Sequence, residues 1–166
     1  MRSLTLVRHA KSSWDNAALS DFDRPLNDRG RRDAPLMAQR LVHLLDGEIN
    51  VQLVASPAVR TTSTARIFAE ALGQPPASIR FDQRIYDADA DALLAVVRSL
   101  DDQHSNAVLF GHNPGISDFC HQLARCDFDD MPTCAIARID FDLMHWRDLA
   151  PGRGRLLAYT FPKERQ

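Results

Sequence analysis

Cysteine, long apolar runs and an excess of either charge are all scarce in this sequence. The three cysteines among 166 residues, Cys120, Cys126 and Cys134, form an odd set without metal-ligand spacing. They read as reduced, core-filling thiols of a cytosolic protein. The seven glycines build no glycine-rich phosphate loop, and the carboxylates build no clustered metal site, so a chemistry free of metal and cofactor is the simpler expectation. No apolar stretch approaches the ~20 residues that a membrane span needs. A strand signal begins almost at Met1, leaving no room for the charged and apolar regions of a signal peptide. The expected location is therefore the cytoplasm, with no membrane partner. Twenty basic residues stand against 22 acidic ones, a formal net charge of -2, so no general basic field points to nucleic acid. The densest basic run, Arg29, Arg31 and Arg32, reads as a solvated helix face. There is no internal repeat, no low-complexity tract and no linker, and residues 1–166 read as a single domain.

What is present is the profile of a soluble globular chain, 45% hydrophobic and 25% charged, long enough to bury a substantial core. Strand and helix signals alternate. Residues 3–8 read as a strand. Asn27 caps a helix running to about Leu45, with Leu36, Met37, Leu41, Leu44 and Leu45 at helical spacing and Pro35 expected to kink it. Residues 51–55 form a near-continuous apolar strand, as a sheet covered on both faces requires. Ser56-Pro57 is expected to open a helix to about Leu72, stopped by Gly73. A short strand at 79–81, a helix over Ala92 to Leu100 and a strand at 107–110 follow. Asn113-Pro114 is expected to open a helix to about Ala124. Two late strands, 134–140 and 155–161, have only a loop between them, containing Trp146 and the turn Pro151-Gly152-Arg153-Gly154. The alternation predicts a three-layer α/β/α sandwich with a mostly parallel central sheet and an antiparallel pair at one edge.

Three of these apolar strands each deliver a cationic or imidazole group just past their last residue. Arg8-His9 ends the first, Arg60 follows the second, and His112 follows the strand at 107–110. In an open parallel sheet those ends share one crevice, where ligands bind. Helix starts at the same edge add free N–H groups and a positive dipole end. Arginine binds phosphate oxygens bidentately and stays charged. Neutral imidazole can attack phosphorus and form a covalent intermediate. His9 is the candidate nucleophile, Arg8, Arg60 and His112 the candidate phosphate pocket. Lys11, Ser12 and Arg24 are further candidate contacts, and Trp14 a rim platform or a core cover. His43, His104 and His145 read as solvated, His121 as packing, Thr133 and Trp146 as structural.

Arg8-His9-Ala10, Ser56-Pro57-Ala58-Val59-Arg60-Thr61 and Gly111-His112-Asn113-Pro114 together resemble the histidine phosphatase superfamily, the phosphoglycerate-mutase-like group. The run Arg8 to Trp14, the segment Asp23 to Gly30 and the ending Trp146 to Leu157 resemble its short SixA-type phosphohistidine phosphatase branch. The resemblance implies that His9 is phosphorylated and that Arg8, Arg60 and His112 hold the phosphoryl group. Many members carry a glutamate as general acid after the third strand; here the register reads Ile85-Tyr86-Asp87, one methylene shorter. Asp87 is the expected acid, with Asp89, Asp21 and Asp23 as alternatives. A positioned acid is worth roughly 10²–10⁴-fold to an ester, whereas protonated imidazole leaves readily. The favoured substrate is therefore phosphohistidine on a protein. The alternatives are a small phosphomonoester, or a phosphate-binding regulatory module without turnover.

Overall fold

The computed structural model describes residues 1–48 and 50–163. Its sheet contains β1 (Arg2–Arg8), β2 (Val51–Ala55), β3 (Ile79–Phe81), β4 (Asn106–Gly111), β5 (Ile136–Phe141) and β6 (Arg155–Thr160). The strand order is β3-β2-β4-β1-β5-β6. The pairs β3·β2, β2·β4 and β4·β1 are parallel, while β1·β5 and β5·β6 are antiparallel. The antiparallel edge follows from the missing helix between β5 and β6, since a parallel return needs a crossover.

The helices are α1 (Asp28–Leu45), α2 (Val59–Ala71), α3 (Ala90–Arg98) and α4 (Gly115–Leu123). One buried cluster joins Met37, Leu41 and Phe68 of α1 and α2 to Val7, Leu53 and Phe110 of the sheet. A second joins Leu93, Val97 and Phe119 of α3 and α4 to Leu6, Val54 and Leu109. Neighbouring sheet residues thus alternate between the two cores, as the pleat dictates. No helix among the described residues is long and apolar enough to cross a membrane.

Within α1 the stripe Met37, Leu41 and Leu45 is buried and Leu36 faces out. Asn27 caps this helix as expected, its Oδ1 accepting from Gly30 N at 2.8 Å, and the helix continues through Pro35. The other two expected caps are corrected. α2 begins at Val59 and α4 at Gly115, because Ser56 and Asn113 spend their side chains elsewhere. Ser56 Oγ lies 2.8 Å from His112 Nε2, and Asn113 Nδ2 donates to the Met131 carbonyl at 3.1 Å. α3 begins earlier than the periodicity implied, since Asp89 accepts from Ala92 N at 2.8 Å and caps it.

Two glycines let the loops of the carboxyl edge sit against helix starts. A Cβ on Gly30 would lie 2.2 Å from the Lys11 carbonyl, and one on Gly115 would lie 2.0 Å from the Ala88 carbonyl. Backbone atoms cannot yield as a flexible side chain does. Gly30→Ala is expected to destabilise the fold by about 1–3 kcal/mol or more, read as a lower urea midpoint at unchanged slope. A midpoint equal to wild type would contradict this packing.

Candidate active site

The site forms where β1, β2 and β4 end together. Arg8 pairs with Gly111 across β1·β4, so the residues that follow, His9 and His112, emerge side by side with ring centroids 5.3 Å apart. Backbone bonds hold His9 on both sides: its N–H donates to Gly111 O at 3.1 Å, and Cys134 N donates to His9 O at 3.0 Å. Ala10 N donates to Thr64 Oγ1 at 3.0 Å, and that hydroxyl donates to the Arg60 carbonyl at 2.8 Å. Thr64 thereby ties the chain after β1 to the first turn of α2, which presents Arg60.

The tautomer of His9 follows from its partner. Nδ1 lies 2.7 Å from the Ala10 carbonyl, which can only accept, so Nδ1 carries the proton and Nε2 keeps a lone pair. The ring is 6% exposed. Burial pushes its pKa down to about 3, and nearby His112, Arg60 and Arg8 push in the same direction. His112 is held down to about 4, again chiefly by burial, then by Arg60. Its Nε2 lies 2.8 Å from the Ser56 hydroxyl, which accepts from Ala58 N at 3.2 Å and keeps its proton to donate to the ring. With the Ser56 hydroxyl donating, Nδ1–H is the single donor of the neutral ring.

Arg8 Nη1 donates to the Met131 carbonyl at 2.9 Å. Arg60 donates from both Nη atoms to Asp21, to its carbonyl at 2.7 Å and to Oδ2 at 3.0 Å. Asp21 also accepts from Tyr86 OH at 2.7 Å and, through Oδ1, from Arg24 Nη2 at 3.0 Å. Among the described residues, three buried nitrogens on side chains that line the cleft, Arg8 Nε, Arg60 Nε and His112 Nδ1, have no hydrogen-bond partner. Buried donors are rarely left so.

The cleft, about 320 Å³, is lined by Arg8, His9, Lys11, Ser12, Arg24, Arg60, Asp87 and His112, all of them site candidates in the sequence. Ser12 is buried and accepts from Arg24 Nη1 at 2.7 Å, so Arg24 both lines the cleft and pairs with a nearby aspartate. Asp87 is exposed at the mouth with φ 56°. Of the alternative acids, Asp21 lines the cleft and Asp23 and Asp89 do not. Trp14 stands at the rim, 71% exposed, its ring 3.5 Å from the Arg24 guanidinium carbon. Thr133 also lines the cleft, while Trp146 is fully buried and donates to the His104 carbonyl at 3.0 Å. His104 is half-buried rather than solvated, because its carbonyl also receives Arg2 Nη1 at 2.9 Å. Sequence reasoning missed Thr64, Tyr86 and the attachment of Ser56 to His112. Only Thr64 had a legible signal, a polar residue one helical turn after Arg60.

The sequence model of the histidine phosphatase superfamily (branch 1) matches residues 4–93. An uncharacterized chloroplastic protein of Arabidopsis thaliana is 29% identical over 97% of this chain and 78% of its own length. A solved structure named SixA from Nakamurella multipartitia is 27% identical, with a TM-score of 0.79 over 98% of this chain and 97% of that one. The structure of the protein histidine phosphatase SixA complexed with tungstate superposes with a TM-score of 0.77 at 22% identity, over 96% of this chain and 97% of that one.

The buried ring makes a titration prediction. Both histidines have folded-state pKa values below the ordinary 6.5, so the unfolded chain binds protons more readily. Their contribution to stability is present above about pH 6.5 and is lost as pH falls toward 4 and 3. In an NMR titration the His9 ring is expected to stay neutral at pH 5. A His9 midpoint between pH 6 and 7 would show that the ring is not desolvated as described.

Proposed function

The chain belongs to the histidine phosphatase superfamily, branch 1, and is a phosphoryl-group hydrolase; from that premise we propose that it removes phosphate from phosphohistidine on a protein through a covalent phosphoryl intermediate on His9. The observation that carries this reading is the unprotonated Nε2 of buried His9 in a cleft lined by Arg8, Arg60 and His112. In this reading Nε2 attacks phosphorus, and Arg8, Arg60 and His112 bear the charge on the equatorial oxygens, where most of the catalysis of phosphoryl transfer lies. The Nδ1–H bond to Ala10 persists as the ring becomes cationic. Water then attacks phosphorus: its oxygen forms the new O–P bond, the N–P electron pair returns to Nε2, and both protons of the water leave with the released dihydrogen phosphate. Lys11 and Ser12 extend the binding surface, and Arg24 steadies the loop above it. Tungstate, an oxyanion of phosphate-like shape held by a SixA of the same fold, supports an anion in this cleft.

Substrate preference rests on the acid. Asp87 reaches the mouth from the exposed end of a turn, where it would serve an alkoxide leaving group. A phosphoramidate with a protonated ring needs no such help.

Incubation with an aryl phosphate, followed by quenching in base, is expected to trap acid-labile phosphate on the wild-type chain. His9→Ala is expected to lose both the adduct and turnover by at least about 10³-fold, with no effect of chelator on wild type. Tight phosphate binding without turnover would instead mark a binding module. Asp87→Asn separates the substrate classes. On the proposed reading it lowers turnover of an alkyl phosphoester by roughly 10²-fold and leaves a phosphohistidine peptide near wild type. Equal loss on both substrates would contradict the assignment.

A further inference from the structure

A carboxylate inside a phosphate pocket runs against simple electrostatics, because like charges a few ångströms apart repel. Asp21 is such a group. It opens the short 3₁₀ turn Asp21–Asp23 that lies beside α2, and its side chain is half exposed toward the cleft it lines. The bonds from Arg60, Arg24 and Tyr86 gather on this one residue. They hold its carboxyl well below the usual carboxylate range, the hydrogen bond from Tyr86 weighing most. Asp21 is therefore a fixed anion, unable to donate the proton that an ester leaving group needs.

That fixed charge discriminates between phosphorylated compounds. Free phosphate and phosphomonoesters bring only negative charge toward it. A phosphohistidine protonated on the ring nitrogen away from phosphorus brings an N–H⁺ within one ring of the phosphoryl group. The mouth has flat aromatic walls that suit such a ring: Trp14 stands exposed on Arg24, and Tyr86 packs edge-on to His112 with centroids 5.5 Å apart. We propose that Asp21 is the specificity-determining residue of this cleft, accepting a hydrogen bond from the protonated distal nitrogen of a phosphohistidine substrate and disfavouring dianionic phosphates. The inference rests on the phosphohistidine reading above.

The step balances without an added acid. The lone pair on His9 Nε2 forms the new N–P bond as the substrate's N–P bond breaks. That bond's electron pair stays on the departing ring nitrogen. The proton already on the distal nitrogen remains there, so the ring leaves as neutral imidazole. Asp21 favours the protonated substrate and keeps it populated at higher pH.

The test compares wild type and Asp21→Asn on a synthetic phosphohistidine peptide and on p-nitrophenyl phosphate, with orthophosphate as inhibitor. The ratio of kcat/KM for peptide over aryl phosphate is expected to fall about tenfold or more, as loss of a charge-assisted bond implies. The basic limb of the peptide pH profile moves down, and orthophosphate inhibits more tightly. An equal loss on both substrates with an unmoved pH profile would overturn the proposal, leaving Asp21 as a seat for Arg60. Tyr86→Phe keeps the charge and removes one bond to it, so its ratio stays near wild type. A collapse matching that of Asp21→Asn would also overturn the assignment. A wild-type chain that hydrolyses the aryl phosphate but not the peptide would instead remove the phosphohistidine reading itself.

Discussion

The parallel pairing of β1 with β4 is the constraint on which the site depends. With Arg8 opposite Gly111, the residues after both strand ends must emerge together, and those residues are His9 and His112. A slip of the register by one residue would turn one imidazole from the crevice into a core. The bonds from His9 N to Gly111 O and from Cys134 N to His9 O prevent such a slip. The Met131 carbonyl adds a third tie, since it receives both Arg8 Nη1 and Asn113 Nδ2. The segment before β5 therefore braces a guanidinium from one strand end and an amide from another.

Electrostatics then sets the protonation states. Two guanidinium groups and burial keep both imidazoles neutral, the form in which His9 has a lone pair to offer. Uncompensated burial of this much positive charge is costly. Asp21 offsets it from the rim by meeting Arg60 and Arg24 together. In the proposed reading, the same carboxylate that meets both guanidinium groups also receives the departing ring of the substrate. Counter-ion and selectivity filter are in this view one residue.

Much of the fold was legible because its signals are local. Near-continuous apolar runs marked the buried parallel strands, and the i, i+4 stripe of α1 marked its covered face. The missing helix between β5 and β6 marked the antiparallel edge. The four groups Arg8, His9, Arg60 and His112 were legible because each directly follows a strand end or lies in the next helical turn. The helix starts at 56 and 113 misled, since serine and asparagine before proline look like caps from composition. Here their side chains are taken by His112 and by Met131. Tyr86 gave no local signal, since it acts through Asp21, 65 residues away; the pairing of Asp21 with Arg24 is local, but its meeting with Arg60 spans 39 residues.

The amino-acid order alone determined the alternation of strands and helices, hence the layered sheet and the edge at which the candidate site residues gather, because these follow from side-chain periodicity and short connections. It also determined which residues could carry phosphoryl chemistry. Tertiary structure decided which of them act as donors and which as counter-ions. It decided that His9 holds its proton on Nδ1, that Arg60 is met by Asp21, and that Ser56 serves a histidine rather than a helix. Each of those outcomes rests on distances between segments remote along the chain, and only the packed sheet sets such distances.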